Sequence, residues 1–194
     1  MVDRLRHHSP SWKVLIGGSG GQGVLTMGKI LACAGIERRL NVSFLPSYGA
    51  EMRGGYVYSM LSFSFSELAS PVISLADCGV FLDESSLRML RDRVKRTGWC
   101  LWNSSLIEPH ENNCSSNLAI PASEMAETIG DVRVANSVMT GALLVVLNSI
   151  KFPVTMDDLL VGIRETIHDR KQQSLNWRAV LQGKKLAEKA LNNG

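Results

Sequence analysis

The stretch KVLIGGSGGQGVLTMGKILACAGI, residues 13–36, decides the fold of this chain. Its apolar opening, residues 14–16, is typical of a buried strand, and apolar residues recur at helical spacing from Val24 to Ile36. Between them lies a glycine loop, residues 17–23. Glycines here indicate positive φ angles or a close approach by another backbone or a ligand. The order of strand, glycine loop and helix predicts an α/β unit whose helix can present backbone N–H groups to an anion.

A second glycine-rich loop follows the next predicted strand, residues 41–45. Pro46 is expected to stop that strand, and residues 46–55 then read PSYGAEMRGG. Ligands of a doubly wound sheet collect beyond the carboxyl ends of the strands. We therefore expect both loops to lie at one rim of the sheet.

The rest of the chain completes an α/β domain. A long strand over 56–65, pairing antiparallel or at an edge, is indicated by its Tyr, Val and Phe residues. Periodicity predicts an amphipathic helix over 84–96 with Leu87, Leu90 and Val94 facing inward, and a capping arrangement at Thr155 and Asp158. Further strands are predicted over 78–82, 99–102 and 118–120, a mobile polar loop over 103–117, and helices over 122–129, 135–150, 155–167 and 175–191. The predicted fold is a three-layer, Rossmann-like α/β domain with a mixed, mainly parallel sheet and a helical C-terminal third.

Length and composition favour one domain, over residues 12–191, after a flexible tail at 1–11. The chain has 194 residues, 45% of them hydrophobic, and a net charge of +3. Its basic clusters, 88–96 and 184–189, fit solvated helix faces, so no nucleic-acid partner is predicted. The first residues lack the apolar core of a signal peptide, and the longest apolar run, 138–147, falls short of the roughly 20 residues that span a bilayer. We expect a cytoplasmic protein without membrane contact.

The four cysteines, at positions 33, 78, 100 and 114, are scattered and form no C-x-x-C pair. Neither an iron–sulfur cluster nor a zinc site is predicted in this chain. Cys33 and Cys100 lie in apolar runs and are expected to be small buried hydrophobes.

The glycine loop matches the pattern of a dinucleotide fingerprint at Gly18, Gly20 and Gly23. The acidic residue that would bind a ribose about 20 positions later is missing, which weakens a nicotinamide interpretation. A phosphate loop of the Walker type does not fit, since Gly28 and Lys29 are followed by isoleucine inside the helix. The remaining alternatives are a helix N-terminus that receives a phosphate or carboxylate, and glycines that only permit tight helix–sheet packing.

The second loop places Tyr48, Glu51 and Arg53 among glycines. Arg53 can form a bidentate pair with a carboxylate or phosphate of a ligand, or an internal pair with Glu51 that braces the loop. No Ser-His-Asp order and no histidine cluster accompanies these loops. The sequence thus predicts binding loops without a catalytic centre.

At residues 17–24, 28–31, 45–55 and 70–71 the sequence resembles the gamma subunit of the 2-oxoacid:ferredoxin oxidoreductases. Arg133, Asn136, Gly141, Asn176 and Gly183 add further matches, so the resemblance extends from about residue 12 to 183. It departs from the family pattern at residues 56–58, Tyr-Val-Tyr, where smaller or polar residues are expected.

The resemblance implies a multi-subunit enzyme that oxidatively decarboxylates a 2-oxoacid to its acyl-coenzyme A and reduces ferredoxin, and 2-oxoglutarate is the expected 2-oxoacid. Thiamine diphosphate is then expected in the alpha and beta subunits and the iron–sulfur clusters in other components, with a ferredoxin-like delta subunit as a further partner, and none of these groups in this chain. A stand-alone nucleotide- or coenzyme-binding module and a nicotinamide-dependent dehydrogenase are the alternatives. The candidate cofactor-binding residues are Gly18, Gly20, Gly21, Gln22, Gly23, Tyr48, Glu51 and Arg53.

Overall fold

A computed structural model describes residues 10–48, 56–68, 70–108 and 114–193. Within these residues, six strands and two α-helices lie between residues 11 and 120, and four further α-helices follow the last strand. The strands are β1 (Ser11–Ser19), β2 (Asn41–Tyr48), β3 (Tyr56–Ser64), β4 (Ala76–Phe81), β5 (Val94–Asn103) and β6 (Ser116–Ile120). The helices are α1 (Val24–Glu37), α2 (Glu84–Leu90), α3 (Ala122–Ile129), α4 (Ala135–Ser149), α5 (Met156–Thr166) and α6 (Arg170–Asn192), with short 3-10 turns before β5 and α4.

The strands form one mixed sheet in the order β2-β3-β1-β4-β5-β6. The pairs β1–β4, β4–β5 and β5–β6 are parallel, whereas β3 runs antiparallel to both β1 and β2. This confirms the predicted mixed, mainly parallel α/β sheet. It also places the long strand β3 inside the sheet, since β2 occupies the edge beyond it.

Side chains of the strands alternate between two apolar layers, as a pleated strand requires. Val14 and Ile16 point into the larger layer, which α1 and the four C-terminal helices cover. Leu15 points into the smaller layer, which includes Leu87 and Leu90 of α2. The sheet is therefore thickly covered on one face and thinly on the other.

Helices α4 and α6 pack closely because glycine occupies each side of their crossing. A Cβ on Gly183 would lie 1.8 Å from the carbonyl oxygen of Val138, and one on Gly141 would lie 2.0 Å from that of Val180. Among the described residues, only the stretch Val132–Ser149 is long and apolar enough to cross a membrane, and 67% of it is buried inside the protein. That stretch consists of the 3-10 turn before α4 and of α4 itself, which packs against α6.

The structure corrects two predicted boundaries in the first half. Pro46 does not stop β2: it remains in the ladder opposite Ser59, and the strand continues to Tyr48. An edge strand tolerates proline because only one of its sides is paired. Gly17 and Gly18 belong to β1 rather than to the loop, opposite Tyr58 and Val57.

The predicted helix over 84–96 ends at Leu90 instead. Residues Arg91–Arg93 form a 3-10 turn, and Val94 is extended because β5 begins there, parallel to β4 and opposite Ala76. Val94 is buried, as predicted, but in a strand. The spacing of apolar residues does not distinguish a helix from a strand at a β-branched residue such as Val94, which can also pair in a sheet.

The C-terminal helices agree with the predicted pattern. Thr155 caps α5 through a capping box with Asp158, as expected. Helix α6 begins at Arg170, five residues before the predicted start, because Asp169 accepts the N–H of Gln172 at 2.8 Å. Its first turn is polar, so apolar periodicity alone does not detect it.

Candidate functional site

The glycine loop joins the carboxyl end of β1 to the first turn of α1. Parallel strands β1, β4, β5 and β6 all end at this edge of the sheet. Gly21 and Gly23 have φ angles of 89° and 79°, in the left-handed region that favours glycine. Gly20 has no such angle, and a Cβ added to it would meet no atom of the described residues within 4 Å.

Two side chains hold the loop in place. The backbone N–H of Ser19 donates to Oε1 of Gln22 at 2.7 Å, so the glutamine folds back over the end of the strand. The Ser19 hydroxyl donates to Oδ2 of Asp83 at 2.5 Å, and Oδ1 of Asp83 accepts the N–H of Ser86 at the start of α2. The loop is therefore tied to the neighbouring strand–helix connection, and Gln22 serves as its brace.

Helix α1 begins without a side-chain cap. Gly23 is its N-cap, no side chain among the described residues accepts a hydrogen bond from its first turn, and that turn contains no acidic residue. The first N–H groups of a helix lack intrahelical partners and carry the positive end of the helix dipole. This arrangement favours an anion at the glycine loop.

Asn136, in the first turn of α4, fixes the loop from the helical layer. Its Nδ2 donates to the carbonyl oxygen of Gly23 at 3.2 Å, and its Oδ1 accepts the N–H of Ser137 at 2.9 Å. The Ser137 hydroxyl donates to Asn176 of α6 at 2.6 Å, and Asn176 donates to the carbonyl of Gln172. A chain of buried polar groups thus connects the loop to α4 and α6.

A cavity of about 200 Å³ adjoins the loop on the side of α3 and α4. Asn103, at the end of β5, contributes its side-chain amide: Oδ1 accepts the N–H groups of Ala122 and Ser123 at the start of α3, and Nδ2 donates to the Ser123 hydroxyl. The exposed apolar side chains of Leu106 and Val132 form the rim. The other lining residues are Gly21, Gln22, Leu82, Arg133, Ala135 and Asn136.

Arg133 is the cationic side chain of this cavity. Its guanidinium pairs with Asp131, with Nη2 and Oδ2 2.7 Å apart, and is 76% exposed. The pair lowers the pKa of Asp131 and raises that of Arg133. An exposed guanidinium at a cavity rim can turn toward an anionic group without a large desolvation penalty.

A second cavity, of about 350 Å³, adjoins the loop on the side of β3. It is lined by Ser19, Gly20, Gly21, Gly23, Val24, Leu25, Thr26 and Val57. Gly21 borders both cavities. The glycine loop therefore lies between the two cavities.

The backbone also brings the two ends of the second loop to this edge. Val57 pairs with Gly18 on one side and with Tyr48 on the other, and Tyr56 pairs with Ser19. Glu51 and Arg53 lie outside the described residues, so their predicted roles remain predictions. Gly18 is in the strand, where a Cβ would lie 2.7 Å from Oε1 of Gln22.

The unexpected Tyr-Val-Tyr run forms an aromatic cluster beside this edge. The rings of Tyr56 and Tyr58 stack with centroids 6.0 Å apart, and Arg93 lies 5.3 Å from the centroid of the Tyr58 ring. A hydrogen bond with Ser47 is the main cause that lowers the pKa of Tyr58, and Arg93 adds to it. The two tyrosines and Arg93 therefore constitute one packed unit on the thinly covered face of the sheet.

The sequence indicated the glycine loop but gave no role to Asn103, Asn136 or Asn176. Asn136 and Asn176 appeared only as matches to the family pattern, and Asn103 at the end of a strand could have been noticed as a polar residue at the carboxyl rim. The structure also joins Cys100 to Cys114 by a disulfide bond, with Cα atoms 6.2 Å apart, which the scattered cysteines did not predict. Residues 104–107, in the predicted mobile loop, form a turn in which Ile107 is buried.

This chain is similar to known proteins in sequence and in fold. Residues 13–186 match the family described as pyruvate ferredoxin/flavodoxin oxidoreductase. Ketoisovalerate oxidoreductase subunit VorA of Methanothermobacter thermautotrophicus is 35% identical over 135 residues, which cover 70% of this chain and 28% of VorA. 2-Oxoglutarate synthase subunit KorC of Archaeoglobus fulgidus is 31% identical over 135 residues, 69% of this chain and 70% of KorC.

The chain thus spans little more than a quarter of VorA, the first curated relative it matches, but a much larger share of KorC. A solved structure, the gamma subunit of a keto/oxoacid ferredoxin oxidoreductase from Geobacter sulfurreducens, has a TM-score of 0.78 and 23% identity. The match covers 91% of this chain and 98% of that subunit. The two chains share a fold over nearly their whole lengths.

Proposed function

This chain belongs to the pyruvate ferredoxin/flavodoxin oxidoreductase family, and on that basis we propose that it is the gamma subunit of a 2-oxoacid:ferredoxin oxidoreductase. The complete enzyme would convert a 2-oxoacid and coenzyme A to acyl-coenzyme A and carbon dioxide, and pass two electrons to ferredoxin. Alpha, beta and delta subunits would hold thiamine diphosphate and the iron–sulfur clusters. Among the described residues, no group of three or more His, Cys, Asp or Glu side chains could hold a metal ion.

The glycine loop between two clefts is the observation that supports a binding role. It combines an uncapped helix N-terminus with an exposed guanidinium at the rim of the neighbouring cavity. Coenzyme A carries phosphate groups, which backbone N–H groups and arginine both bind. We therefore assign the loop a contact with a phosphate of coenzyme A, with Arg53 of the second loop as a further contact.

Asn136 offers a test on a described residue. In the assembled enzyme, Asn136→Ala releases the Gly23 carbonyl and should raise the KM for coenzyme A about 2- to 10-fold, as expected for one hydrogen bond. Asn148→Ala is the matched control, because its amide also donates to backbone carbonyls, those of Phe152 and Val154, but near the far end of α4. Equal KM values for coenzyme A in both variants, with intact complexes, would refute the contact.

Arg53→Ala addresses the second loop. Loss of a hydrogen bond to a charged group costs on the order of 1.5–3 kcal/mol, so the KM for coenzyme A should rise while that for the 2-oxoacid changes much less. An unchanged coenzyme A dependence in an intact complex would make Arg53 a brace for its own loop or for the subunit interface.

For the substrate, we propose 2-oxoglutarate, supported by the agreement in length with KorC. The 35% identity with VorA favours 2-oxoisovalerate as the second candidate. Purification of the native complex, followed by acyl-coenzyme A formation with 2-oxoglutarate, 2-oxoisovalerate and pyruvate in parallel, decides between them. A preparation that lacks thiamine-binding subunits and reduces no ferredoxin with any of the three acids would contradict the assignment as a whole.

Assembly should bury both glycine-rich loops. A rim of glycine and exposed apolar side chains on a small subunit is typical of a partner or ligand surface. Hydrogen exchange at residues 19–23 should be slower in the complex than in the free chain, whereas equal rates would count against this arrangement. A cytoplasmic location is also proposed, since ferredoxin is the expected electron acceptor.

A further inference from the structure

The disulfide between Cys100 and Cys114 lies outside the candidate site and has no role in the proposed reaction. Cys100 is in the middle of β5, and Cys114 lies near the end of the connection between β5 and β6, residues 104–115. Both are buried, with exposed fractions of 0% and 7%. Their Cα separation of 6.2 Å falls within the range of about 4.4–6.8 Å that a disulfide bridges.

This connection is unusual for two parallel strands. A crossover between parallel strands usually contains an α-helix that packs on the sheet. The described residues of this crossover contain no helix; instead Ile107 and Cys114 enter the apolar layer beside Trp102. The disulfide bond attaches Cys114 covalently to Cys100 of β5, on the face of the sheet that the smaller apolar layer covers.

The same crossover forms part of the cavity beside the glycine loop. Leu106 lines that cavity, and the N–H groups of Leu106 and Ile107 both donate to the carbonyl of Asn103. The Ser105 hydroxyl accepts the N–H of Glu124 in the first turn of α3. The position of the crossover therefore sets one wall of the cavity.

We propose that Cys100 and Cys114 are a reversible thiol–disulfide switch that, in the oxidised state, fixes Cys114 against β5 and, through Ile107 of the same apolar layer, the adjoining Leu106 wall of the cavity. Disulfides that form in a reducing compartment are usually transient or redox-sensing rather than structural. The inference rests on the cysteine pair, the crossover and the proposed cytoplasmic location, and its test does not depend on the proposed enzymatic activity.

The chemistry requires an oxidant, which we identify as a low-molecular-weight disulfide. The thiolate of Cys114, the more exposed of the pair, attacks one sulfur of this compound, forms a mixed disulfide and releases one thiolate. The thiolate of Cys100 then attacks the Cys114 sulfur, forms the internal bond and releases the second thiolate. The protein loses two electrons and two protons, and the oxidant becomes two thiols. A dithiol reduces the internal bond by the same type of exchange, restores the two cysteine thiols and is itself oxidised to a disulfide.

The test uses the full-length chain refolded either with a dithiol or with the disulfide and thiol forms of glutathione. Alkylation under denaturing conditions followed by peptide mass spectrometry identifies which cysteines are free. We expect Cys33 and Cys78 to be alkylated in both samples, and Cys100 and Cys114 only in the dithiol sample. Hydrogen exchange in residues 104–108 should then be at least about tenfold slower in the oxidised chain.

Two variants separate the switch from general effects of redox treatment. Cys114→Ser should abolish the difference in exchange, whereas Cys33→Ser, the matched control, should retain it. The proposal is overturned if all four cysteines are alkylated after glutathione treatment, if residues 104–108 exchange equally in both states, or if Cys114→Ser retains the difference.

Discussion

Three alanine substitutions in one loop provide the sharpest test of the site geometry, because each adds the same methyl group to a different environment. At Gly20 the added Cβ meets no atom of the part of the chain that the structure describes within 4 Å, and the φ angle is not positive, so Gly20→Ala should be neutral or stabilising by up to about 1 kcal/mol. At Gly21 space is also available but φ is 89°, and the left-handed conformation costs an L-residue about 1–2 kcal/mol. Gly23→Ala combines this conformational cost with a steric conflict.

The conflict at Gly23 arises from Asn136. A Cβ on Gly23 would lie 2.2 Å from Nδ2 of Asn136, so that side chain must move and lose its hydrogen bond to the Gly23 carbonyl. Adding about 0.5–1.5 kcal/mol for the hydrogen bond to the conformational cost of about 1–2 kcal/mol gives a destabilisation of about 1.5–3.5 kcal/mol. With alanine at position 136, the nearest remaining atom would be Cβ of that residue at 3.3 Å, so only the conformational cost of about 1–2 kcal/mol should remain.

Urea unfolding followed by tryptophan fluorescence measures these differences, provided that the slope of free energy against urea stays constant. The expected order of stability is Gly20→Ala, Gly21→Ala, Gly23→Ala, from highest to lowest. The double-mutant cycle of Gly23→Ala with Asn136→Ala should show a coupling of about 1 kcal/mol. The reasoning fails if Gly23→Ala costs no more than Gly21→Ala, or if its cost is the same with and without the Asn136 side chain.

Three further predictions concern the scaffold. Gly183→Ala should destabilise the chain by at least about 3 kcal/mol in thermal unfolding, because the added Cβ would overlap the Val138 carbonyl. Leu181→Ala, on the exposed side of α6, should cost much less, and similar costs for the two variants would contradict the close contact between α4 and α6. Thr155→Ala should lose about 1 kcal/mol through removal of the capping box of α5, and an unchanged urea midpoint would show that the cap contributes nothing. Burial, with a smaller contribution from Asp77, raises the pKa of the Cys78 thiol in the folded chain above its ordinary value of 9.0. The thiol therefore ionises at lower pH in the unfolded chain than in the folded chain, and the free energy of unfolding should fall as the pH rises above 9.0. Cys78→Ala should remove this part of the alkaline slope, and an identical slope in that variant would refute it.

The element types along the chain could be predicted because each has a local signature. Apolar spacing identified the strand and helix around the glycine loop, and Thr155 with Asp158 marked the start of α5. The boundaries that failed depend on distant partners. Val94 becomes extended because β4 lies beside it, and Pro46 stays in a strand because β2 is at an edge.

By itself, the sequence determined the α/β class, the strand–loop–helix unit at residues 13–36 and the family of the chain, since hydrophobic periodicity and a long glycine-containing motif are properties of neighbouring residues. Only the tertiary structure decided that Asn136 supports Gly23, that Asn103 caps α3 and that Cys100 meets Cys114. These contacts join residues 14 to 113 positions apart. Their formation depends on how helices and strands pack around the core, which no local pattern specifies.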